Sequence, residues 1–424
     1  MEKKKNNPWT WIPTLYFAEG LPYVAVVTIS VIMYKNLGMS NTDVAFYTSW
    51  LYLPWVIKPF WSPFVDLLKT KRWWIVSMQL LIGAGLAGVA FCTPTPFYIQ
   101  LTLACFWLVA FSSATHDIAA DGFYLLGLDS SEQSFYVGIR STFYRIATIF
   151  GQGALVFFAG YLEKTTGNIP FAWSITFFVL AGMFIAFFVY HRFRLPYPDS
   201  DKPNLSITAG SILVEFGKTF KTFFTKKNAA AAIFFMLTYR FAEAQLLKLI
   251  QPFLLDPKEK GGLALTTQDV GIVYGTVGIL GLVIGGIVGG IVAAKGGLKK
   301  WLWPMMLSML LTSLTFVYLA YTMPDNFWII NVCVLIEQLG YGFGFTAYML
   351  FLMYYAEGEH KTAHYAICTG FMALGMMLPG MAAGWIQEQL GYQNFFLWVM
   401  GCSIIPIIAA SLLKIEKKPE NIEK

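Results

Sequence analysis

Apolar residues in this chain form long runs that are separated by short polar segments. About twelve runs of roughly 20–28 residues are each long enough to cross a hydrocarbon core of ~30 Å as a helix. The alternating ten-residue segments typical of a membrane β-barrel are missing from the sequence. The pattern predicts an all-α integral membrane protein with spans at residues 9–34, 43–67, 73–92, 97–125, 135–161, 171–193, 228–254, 267–294, 301–322, 326–354, 362–387 and 392–414.

Composition agrees with a membrane protein. The 424 residues are 57% hydrophobic, 17% aromatic and 13% charged, and the mean hydropathy is +0.57. A soluble chain of this length carries about a quarter charged residues, because it must cover its core with a polar surface. The apolar surplus therefore has to face lipid, which excludes a soluble globular domain.

The basic residues predict the orientation in the membrane. With a cytoplasmic N-terminus, 21 of the 30 Lys and Arg residues fall in inward loops and tails, and 4 fall in outward loops. The positive-inside rule then places both termini in the cytoplasm. Attraction of these loops to anionic lipid also explains the net charge of +6, so no nucleic-acid partner is expected.

The longest polar segment, residues 194–227, divides the chain near its middle. Phenylalanines recur in it at three- and four-residue intervals with lysines between them, as in a helix that lies along a membrane surface. We therefore expect an N-terminal six-helix half at residues 1–193, a cytoplasmic linker at 194–227 and a C-terminal six-helix half at 228–424.

Two short repeats relate the halves. Phe17-Ala18-Glu19 recurs as Phe241-Ala242-Glu243, and Thr42-Asp43-Val44 resembles Gln268-Asp269-Val270 at an offset that is also close to half the chain length. Two duplicated, parallel six-helix halves with a substrate site between them build the major facilitator fold. The turn from Asp66 to Arg72, acidic and then basic, resembles the loop of that superfamily, which suggests gating-loop roles for these two residues.

Ten ionisable residues lie within the predicted spans. Each costs roughly 2.5–3.5 kcal/mol near the bilayer centre unless it is paired or hydrated, so each is a candidate for function. Five acids and five bases can also neutralise one another. The acids are Glu19, Asp117, Asp121, Glu243 and Glu337, and the bases are Lys58, Arg140, Arg145, Arg240 and Lys248.

Structural explanations compete with functional ones for several of these charges. Asp117 and Arg145 are equally well explained as a buried ion pair that fixes two spans. Arg240 and Glu243 share one helix face and can satisfy each other. Arg140 and Lys248 lie near span ends, where long basic side chains snorkel to the interface, and we favour that explanation for them.

Several motifs of the first half resemble the AmpG-type muropeptide permeases, a major facilitator branch related to the acetyl-CoA transporters. They cover spans one to five in the order of that family. The resemblance implies proton-driven import of anhydro-muropeptides, cell-wall breakdown products, from periplasm to cytoplasm across the bacterial inner membrane. The motifs are Gly20-Leu21-Pro22, the stretch from Lys58 through Trp61-Ser62-Pro63 to Asp66, Ser113-Ala114-Thr115-His116-Asp117-Ile118 with Asp121, and Tyr144-Arg145.

A substrate of this kind suggests roles for the buried residues. Its carboxylates need cationic partners, and its sugar rings need apolar faces and hydroxyl partners. A buried carboxyl group can take up and release a proton, and Glu19 is the first candidate for this role. The expected coupling residues are Glu19, Glu243, Asp117 and Asp121, and the expected substrate-binding residues are Lys58, Arg145, Arg240, Glu337, Tyr16, Tyr23 and Tyr341.

Two other classes of function stay open. A transporter for another glycan, an acyl-CoA-like donor or a lipid would share the same features. A membrane-embedded enzyme would need a nucleophile with a base, or a metal cluster, and neither arrangement is evident in the sequence. Substrate, protons and membrane lipids are therefore the expected partners of a monomer that has no cofactor and no metal. The five scattered cysteines are interpreted as structural.

Overall fold

The computed structural model describes residues 7–202, 209–358 and 360–415. Within these ranges the chain is helical and contains no strand, which confirms the all-α prediction. The helices that precede the linker are α1 (Ile12–Val24), α2 (Ser30–Asn36), α3 (Asn41–Trp50), α4 (Leu53–Leu68), α5 (Lys71–Cys92), α6 (Tyr98–Gly127), α7 (Ser130–Ile149), α8 (Val156–Thr166) and α9 (Ile169–Arg194).

The remaining helices follow the linker or lie in it. Wide π-helical turns at Ala25–Ile29, Phe150–Leu155 and Val273–Gly278 join α1 to α2, α7 to α8 and α13 to α14. The helices are α10 (Ala209–Phe224), α11 (Ala229–Thr238), α12 (Phe241–Leu255), α13 (Thr267–Ile272), α14 (Ile279–Thr312), α15 (Leu314–Thr322), α16 (Phe327–Ala356), α17 (Lys361–Cys402) and α18 (Ile404–Ser411). We call α1–α9 the N-terminal group and α11–α18 the C-terminal group.

Nine helical segments in the described ranges are long and apolar enough to cross a membrane, as expected of a multi-pass protein. Two of them, Thr267–Thr322 and Lys361–Ser411, contain 56 and 51 residues, far more than the roughly 20 residues that one crossing needs. Each is interrupted by a glycine, Gly297 or Gly391, whose φ of 70° and ψ of 165° are not helical. The more polar pair α3–α4, which carries Lys58, is not among the nine segments.

The second sequence repeat corresponds to a repeated helix start. At α3, the Ser40 hydroxyl accepts a hydrogen bond from the Asp43 backbone N–H at 3.0 Å and donates one to the Asp43 carboxylate at 2.8 Å. At α13, Thr266 and Asp269 make the same two contacts at 3.2 and 2.6 Å. These side chains satisfy backbone donors that the first helical turn leaves free. Ser40 and Thr266 are therefore the N-caps, and Asp43 and Asp269 occupy the same position, three residues after the cap.

The two groups of helices pack closely at the end of the molecule opposite the linker, which we call the far end. There α17 packs against α3, and α8 packs against α13. A Cβ atom on Gly384 would lie 2.0 Å from the Asn41 carbonyl oxygen, and one on Gly275 would lie 2.0 Å from the Gln152 carbonyl oxygen. Both interfaces therefore depend on glycine at these positions.

The linker attaches to the opposite end, which we call the linker end. Asp201 caps α5 by accepting hydrogen bonds from the backbone N–H groups of Lys71 and Arg72 at 2.7 and 3.0 Å. The Arg72 guanidinium stacks on the Tyr197 ring at 3.8 Å. Residues 203–208 of the predicted linker lie outside the described residues.

The helix predicted in the linker is present as α10, and it contacts both groups. The Phe220 ring lies 5.5 Å from that of Phe60 in α4, and the Phe223 ring lies 6.0 Å from that of Phe371 in α17. Its aromatic face is thus buried against protein from both sides of the molecule.

Candidate functional site

A cavity of about 990 Å³ lies between the two groups of helices. At the linker end it reaches Lys69, Lys71, Asp201 and Lys202, whereas the close-packed far end separates it from the other side. Residues of both groups form its wall, including Tyr23, Tyr52, Trp55, Lys58, Asp117, Asp121, Tyr144, Gln152, Arg240, Leu247, Tyr274, Gln338, Tyr341, Phe345 and Tyr365.

Aromatic rings form much of this wall. The Tyr23 ring packs edge-on against the Trp55 ring at 5.2 Å, and the Tyr341 ring lies 5.7 Å from that of Phe345. Such surfaces offer apolar faces for flat or ring-shaped ligand groups, and the phenol oxygens offer hydrogen bonds at their edges. Tyr23 and Tyr341, two of the expected binding residues, therefore line the cavity, and their role in binding stays a prediction.

Lys58 and Asp117 form the first charged pair on the wall. The Lys58 ammonium lies 3.6 Å from a carboxylate oxygen of Asp117, and the Trp55 indole N–H lies 3.4 Å from the same oxygen. The pairing of Asp117 with Arg145 that we considered from sequence is therefore wrong. Asp117 faces α4, which packs against α6, and Arg145 lies on another helix.

Arg145 is not on the cavity wall. Its side chain is exposed, and its guanidinium lies beside Gly286 of α14. The preceding residue, Tyr144, does line the cavity, and consecutive helical residues point about 100° apart. The structure therefore does not bring Arg145 together with Lys58 in this conformation.

Asp121 and Arg140 form the second pair. The Arg140 guanidinium lies 2.7 Å from the Asp121 carboxylate, and it also packs on the rings of Tyr16 at 4.6 Å and Tyr124 at 5.0 Å. The snorkelling that we expected of Arg140 is wrong, because these contacts hold the guanidinium within the N-terminal group. Tyr16 is buried behind the wall, and its hydroxyl has no hydrogen-bond partner among the described residues.

Arg240 and Glu243 form a buried pair at the start of α12. Two guanidinium nitrogens of Arg240 donate to the two Glu243 carboxylate oxygens at 2.6 and 2.9 Å, and Arg240 also donates to the Tyr341 hydroxyl at 2.7 Å. The structure thus shows these residues satisfying each other, as one of our two interpretations held. Arg240 lies on the cavity wall, whereas Glu243 is covered by it.

Glu19 and Glu337 are buried carboxyl groups that lie behind the wall rather than on it. One Glu19 oxygen, Oε2, has no hydrogen-bond partner among the described residues. Glu337 accepts a hydrogen bond at 2.8 Å from Gln338, which does line the cavity. The contact with substrate that we expected of Glu337 would therefore have to pass through Gln338 in this conformation.

Two of the remaining expectations concern Arg72 and Asp66. Arg72 lies at the linker end, where it donates hydrogen bonds to the backbone carbonyl oxygens of Leu195 and Arg192. The side chain of Asp66 lies outside the described residues. No group of three or more potential metal ligands occurs in the part of the chain that the structure describes.

His116 and Lys248 are both buried. Gln79 connects His116 to His191 through hydrogen bonds of 3.1 and 3.0 Å, so the His116 ring faces other helices and is absent from the cavity wall. Lys248 is 4% exposed, and its ammonium donates to the Thr48 hydroxyl at 3.0 Å. The snorkelling expected of Lys248 is therefore also wrong.

Sequence reasoning missed the neutral part of the wall. Tyr52, Trp55, Gln152, Tyr274 and Gln338 line the cavity, but uncharged side chains within spans do not stand out against an apolar, aromatic-rich background. A helical-face argument from Glu337 and Tyr341 extends to Phe345 but not to Gln338, which lies on the neighbouring face.

Sequence reasoning also missed a polar network that closes the far end. The Lys35 ammonium lies 2.6 Å from the Asp256 carboxylate. The Asn41 amide donates to Gln387 at 2.7 Å and to the Tyr392 hydroxyl at 2.9 Å, and that hydroxyl donates to Asp256 at 2.6 Å. These contacts join the N-terminal group to the C-terminal group, so we call the five residues the far-end latch.

A bundle with a central cavity between two groups of helices, sealed at one end by such a latch, has the organisation of a membrane transporter. Residues 14–364 match the family model of the Major Facilitator Superfamily. This match covers most of the chain, which therefore belongs to that superfamily, and it is a transporter of small molecules.

The curated relatives are permeases and transporters. The chain is 25% identical over 399 residues to "Putative transporter AmpG 4" of Rickettsia conorii, with 91% of each chain covered. It is 23% identical over 417 residues to the "Anhydromuropeptide permease" of Escherichia coli, with 93% of this chain and 77% of that protein covered. The resemblance to AmpG-type permeases that the motifs indicated is confirmed.

Solved structures support the fold. A D-xylose-proton symporter superposes with a TM-score of 0.71 at 13% identity, covering 96% of this chain and 97% of its own. The nucleoside transporter NupG superposes with a TM-score of 0.67 at 13% identity, covering 96% of this chain and 98% of its own. At these identities the likeness shows the shared fold alone.

Proposed function

We propose that this protein imports anhydro-muropeptides from the periplasm to the cytoplasm across the bacterial inner membrane, driven by protons. The observation that carries the proposal is the similarity to anhydromuropeptide permeases along nearly the whole chain. The cavity supports it, since about 990 Å³ lies at the upper end of the range of roughly 300–1,000 Å³ for small-molecule sites. A disaccharide with a short peptide requires a site of that class.

The architecture that we propose has twelve spans in two six-helix halves, residues 1–193 and 228–424, joined by the linker at 194–227. The breaks at Gly297 and Gly391 support this count, because each divides a segment of double length into two crossings. The pair α3–α4 would supply a further crossing. The matching caps of α3 and α13 support the duplication, and the basic residues support cytoplasmic termini.

The chemistry of the wall suits a carboxylate-bearing sugar. Lys58 and Arg240 each face the cavity while they are bound to a carboxylate of the protein, and a carboxylate of the substrate can compete for the same donors. The rings of Tyr23, Trp55 and Tyr341 provide apolar faces for sugar rings, with hydroxyl or indole N–H groups at their edges. Lys69, Lys71 and Lys202 at the linker end make the cavity mouth basic.

Alternating access follows from the asymmetry between the two ends. With the linker end in the cytoplasm, this conformation is open inward, and the far-end latch closes the periplasmic side. Import requires a second conformation in which the latch separates, α3 moves away from α17, and α8 moves away from α13. The cavity lies within one chain, which supports a monomer as the transporting unit.

Glu19 is our candidate for the coupling proton. Its carboxyl group is buried, has an oxygen without a hydrogen-bond partner among the described residues, and lies within electrostatic reach of Asp117, Asp121 and Arg140. A buried carboxylate costs several kcal/mol unless it is paired, and Glu19 makes no direct ion pair among the described residues. Loading and release of a proton at Glu19 would therefore change the balance of charges beside the cavity.

The test is uptake of labelled N-acetylglucosaminyl-anhydro-N-acetylmuramic acid into membrane vesicles. We expect accumulation that requires an inward proton gradient and disappears with an uncoupler. Accumulation that ignores the uncoupler would refute proton coupling. Uptake of a different glycan but not of the anhydro-disaccharide would refute the proposed substrate class. The protein would then be a transporter for another substrate.

A further inference from the structure

Lys248 is a buried basic residue that the proposed transport cycle leaves without a role. Its side chain is 4% exposed, its ammonium donates to the Thr48 hydroxyl at 3.0 Å, and it lies 5.0 Å from the centre of the Tyr52 ring. Among the described side chains, no carboxylate lies within ion-pairing distance of it. Keeping a lysine as an ammonium without a counter-ion is costly in a buried site, so its presence within a span calls for a function.

A second polar group beside Lys248 is also unsatisfied. The Ser49 hydroxyl is fully buried and has no hydrogen-bond partner among the described residues. Gly380 of α17 covers both side chains, since a Cβ atom there would lie 2.9 Å from the Ser49 hydroxyl oxygen and 3.2 Å from Cγ of Lys248. An ammonium and two hydroxyls, from Lys248, Thr48 and Ser49, thus meet where α3 and α17 close over α12.

This cluster lies between the cavity and the far-end latch. Leu247, the preceding residue of α12, lines the cavity. Asp256 follows the last residue of the same helix and belongs to the latch. Asp256 lies eight positions after Lys248, which corresponds to about 12 Å along a helix. The movement of α3 away from α12 and α17 that opens the far end would therefore uncover the cluster.

We propose that Lys248, with the Ser49 hydroxyl, forms an outer binding site for the substrate carboxylate when the far end is open. The ammonium of Lys248 and the unpartnered hydroxyl of Ser49 can both donate to the oxygens of a carboxylate. The Thr48 hydroxyl donates to the Val44 carbonyl oxygen at 2.6 Å, so it positions Lys248 and is not itself a donor to the ligand. Closure of the interface removes the site and leaves the anion to the cavity cations, Lys58 and Arg240. This inference rests on the proposed function, because it assumes a carboxylate-bearing substrate that enters from the far end.

The first test measures exposure of the site without transport. We expect a cysteine in Lys248→Cys to react with a charged thiol reagent applied from the far side, and to react faster when Asp256→Asn weakens the latch. The parent chain controls for the five native cysteines, and Lys258→Cys, at an exposed far-end position, controls for access of the reagent. Labelling of Lys258→Cys without labelling of Lys248→Cys in either background would overturn the proposal.

The second test measures recognition of the carboxylate. Loss of one charge-assisted contact corresponds to an affinity loss of about ten- to a hundredfold. In Lys248→Gln we expect the half-saturating concentration of the anhydro-disaccharide acid on the far side to rise by about tenfold, with no change for its methyl ester. Lys248→Arg should retain recognition of the acid, because it retains the charge.

The direction of transport separates binding from a structural role. We expect Lys248→Gln to leave half-saturation from the linker side unchanged, because the site is closed when that side is open. Equal losses for acid and ester, or for both directions, would assign Lys248 a structural role and overturn the proposal. If the wild-type protein transports neither the acid nor the ester into vesicles, the proposed function is refuted instead. The labelling result would still show whether the site opens.

Discussion

The Lys58 ammonium lies 3.6 Å from the Asp117 carboxylate, and both side chains face the cavity rather than a closed interior. About a quarter of the Lys58 side chain and a fifth of the Asp117 side chain are exposed. The pair is therefore neither a surface ion pair nor a fully buried one, and its exposed part faces the cavity. Its position allows a ligand carboxylate to take the place of Asp117 beside Lys58.

Neutralising this pair distinguishes a binding role from a structural one. We expect Lys58→Gln to weaken substrate binding by about tenfold or more, which corresponds to one charge-assisted contact. The double variant Lys58→Gln with Asp117→Asn should bind no better, because the introduced amide supplies no cation. Half-saturating concentrations for uptake and thermal stability of the purified variants check this. Recovery of binding in the double variant would mean that Lys58 acts only by neutralising Asp117.

The Arg240–Glu243 pair should behave differently because it is buried. Removing one partner of a buried pair costs about 3–5 kcal/mol, because the remaining charge is left uncompensated. We therefore expect Glu243→Gln to lower the unfolding temperature markedly, and Arg240→Gln with Glu243→Gln to recover most of the loss. Uptake should be impaired in both variants, since Arg240 lines the cavity.

The same measurement tests the coupling role that the sequence suggested for Glu243. The Glu243 carboxylate accepts two hydrogen bonds from the Arg240 guanidinium at a buried position, and this geometry favours a structural pair over a proton carrier. Unchanged thermal stability of Glu243→Gln would contradict the structural-pair interpretation. It would show that a neutral side chain can replace Glu243 beside Arg240 without cost.

The sequence allowed the fold class to be predicted from the lengths of the apolar runs, because lipid imposes that length on every crossing helix. It also identified the charged wall residues Lys58, Asp117, Asp121 and Arg240, since charges within spans are rare. Their partners were not predictable. From the sequence alone, Asp117 could pair with Lys58, Arg140 or Arg145, because all of them lie within predicted spans. The partner is decided by how each helix is rotated about its own axis.

The far-end latch shows a second limit of sequence reasoning. Lys35 and Asp256 lie at helix ends and Asn41 at a helix start, where charged and polar residues are common and attract no notice. Their contacts cross between the two groups of helices, from α2 and α3 to α12 and α17. No local periodicity reports such contacts. They arise from the way in which the two groups pack in one particular conformation.

Glu19 provides the test of coupling. We expect Glu19→Gln to abolish accumulation against a gradient while sparing exchange of internal for external substrate. A permanently neutral side chain cannot take up a proton on the far side and release it on the linker side. Glu337→Gln is the matched control, since Glu337 is also a buried carboxyl group behind the wall. Proton-driven accumulation and exchange are measured in the same vesicles. Accumulation by Glu19→Gln at the wild-type level would remove this residue from the coupling mechanism.

Gly384 provides the test of closure at the far end. A Cβ atom at this position would lie 2.0 Å from the Asn41 carbonyl oxygen, so Gly384→Ala should force α17 away from α3 and weaken the latch beside it. We expect the distance between spin labels at Lys164→Cys and Lys258→Cys, both exposed at the far end, to shift toward longer values, with uptake strongly reduced. Gly401→Ala, where an added Cβ meets nothing within 4 Å, should leave both unchanged. An unchanged distance distribution in Gly384→Ala would show that the two groups are not in tight contact there in the membrane.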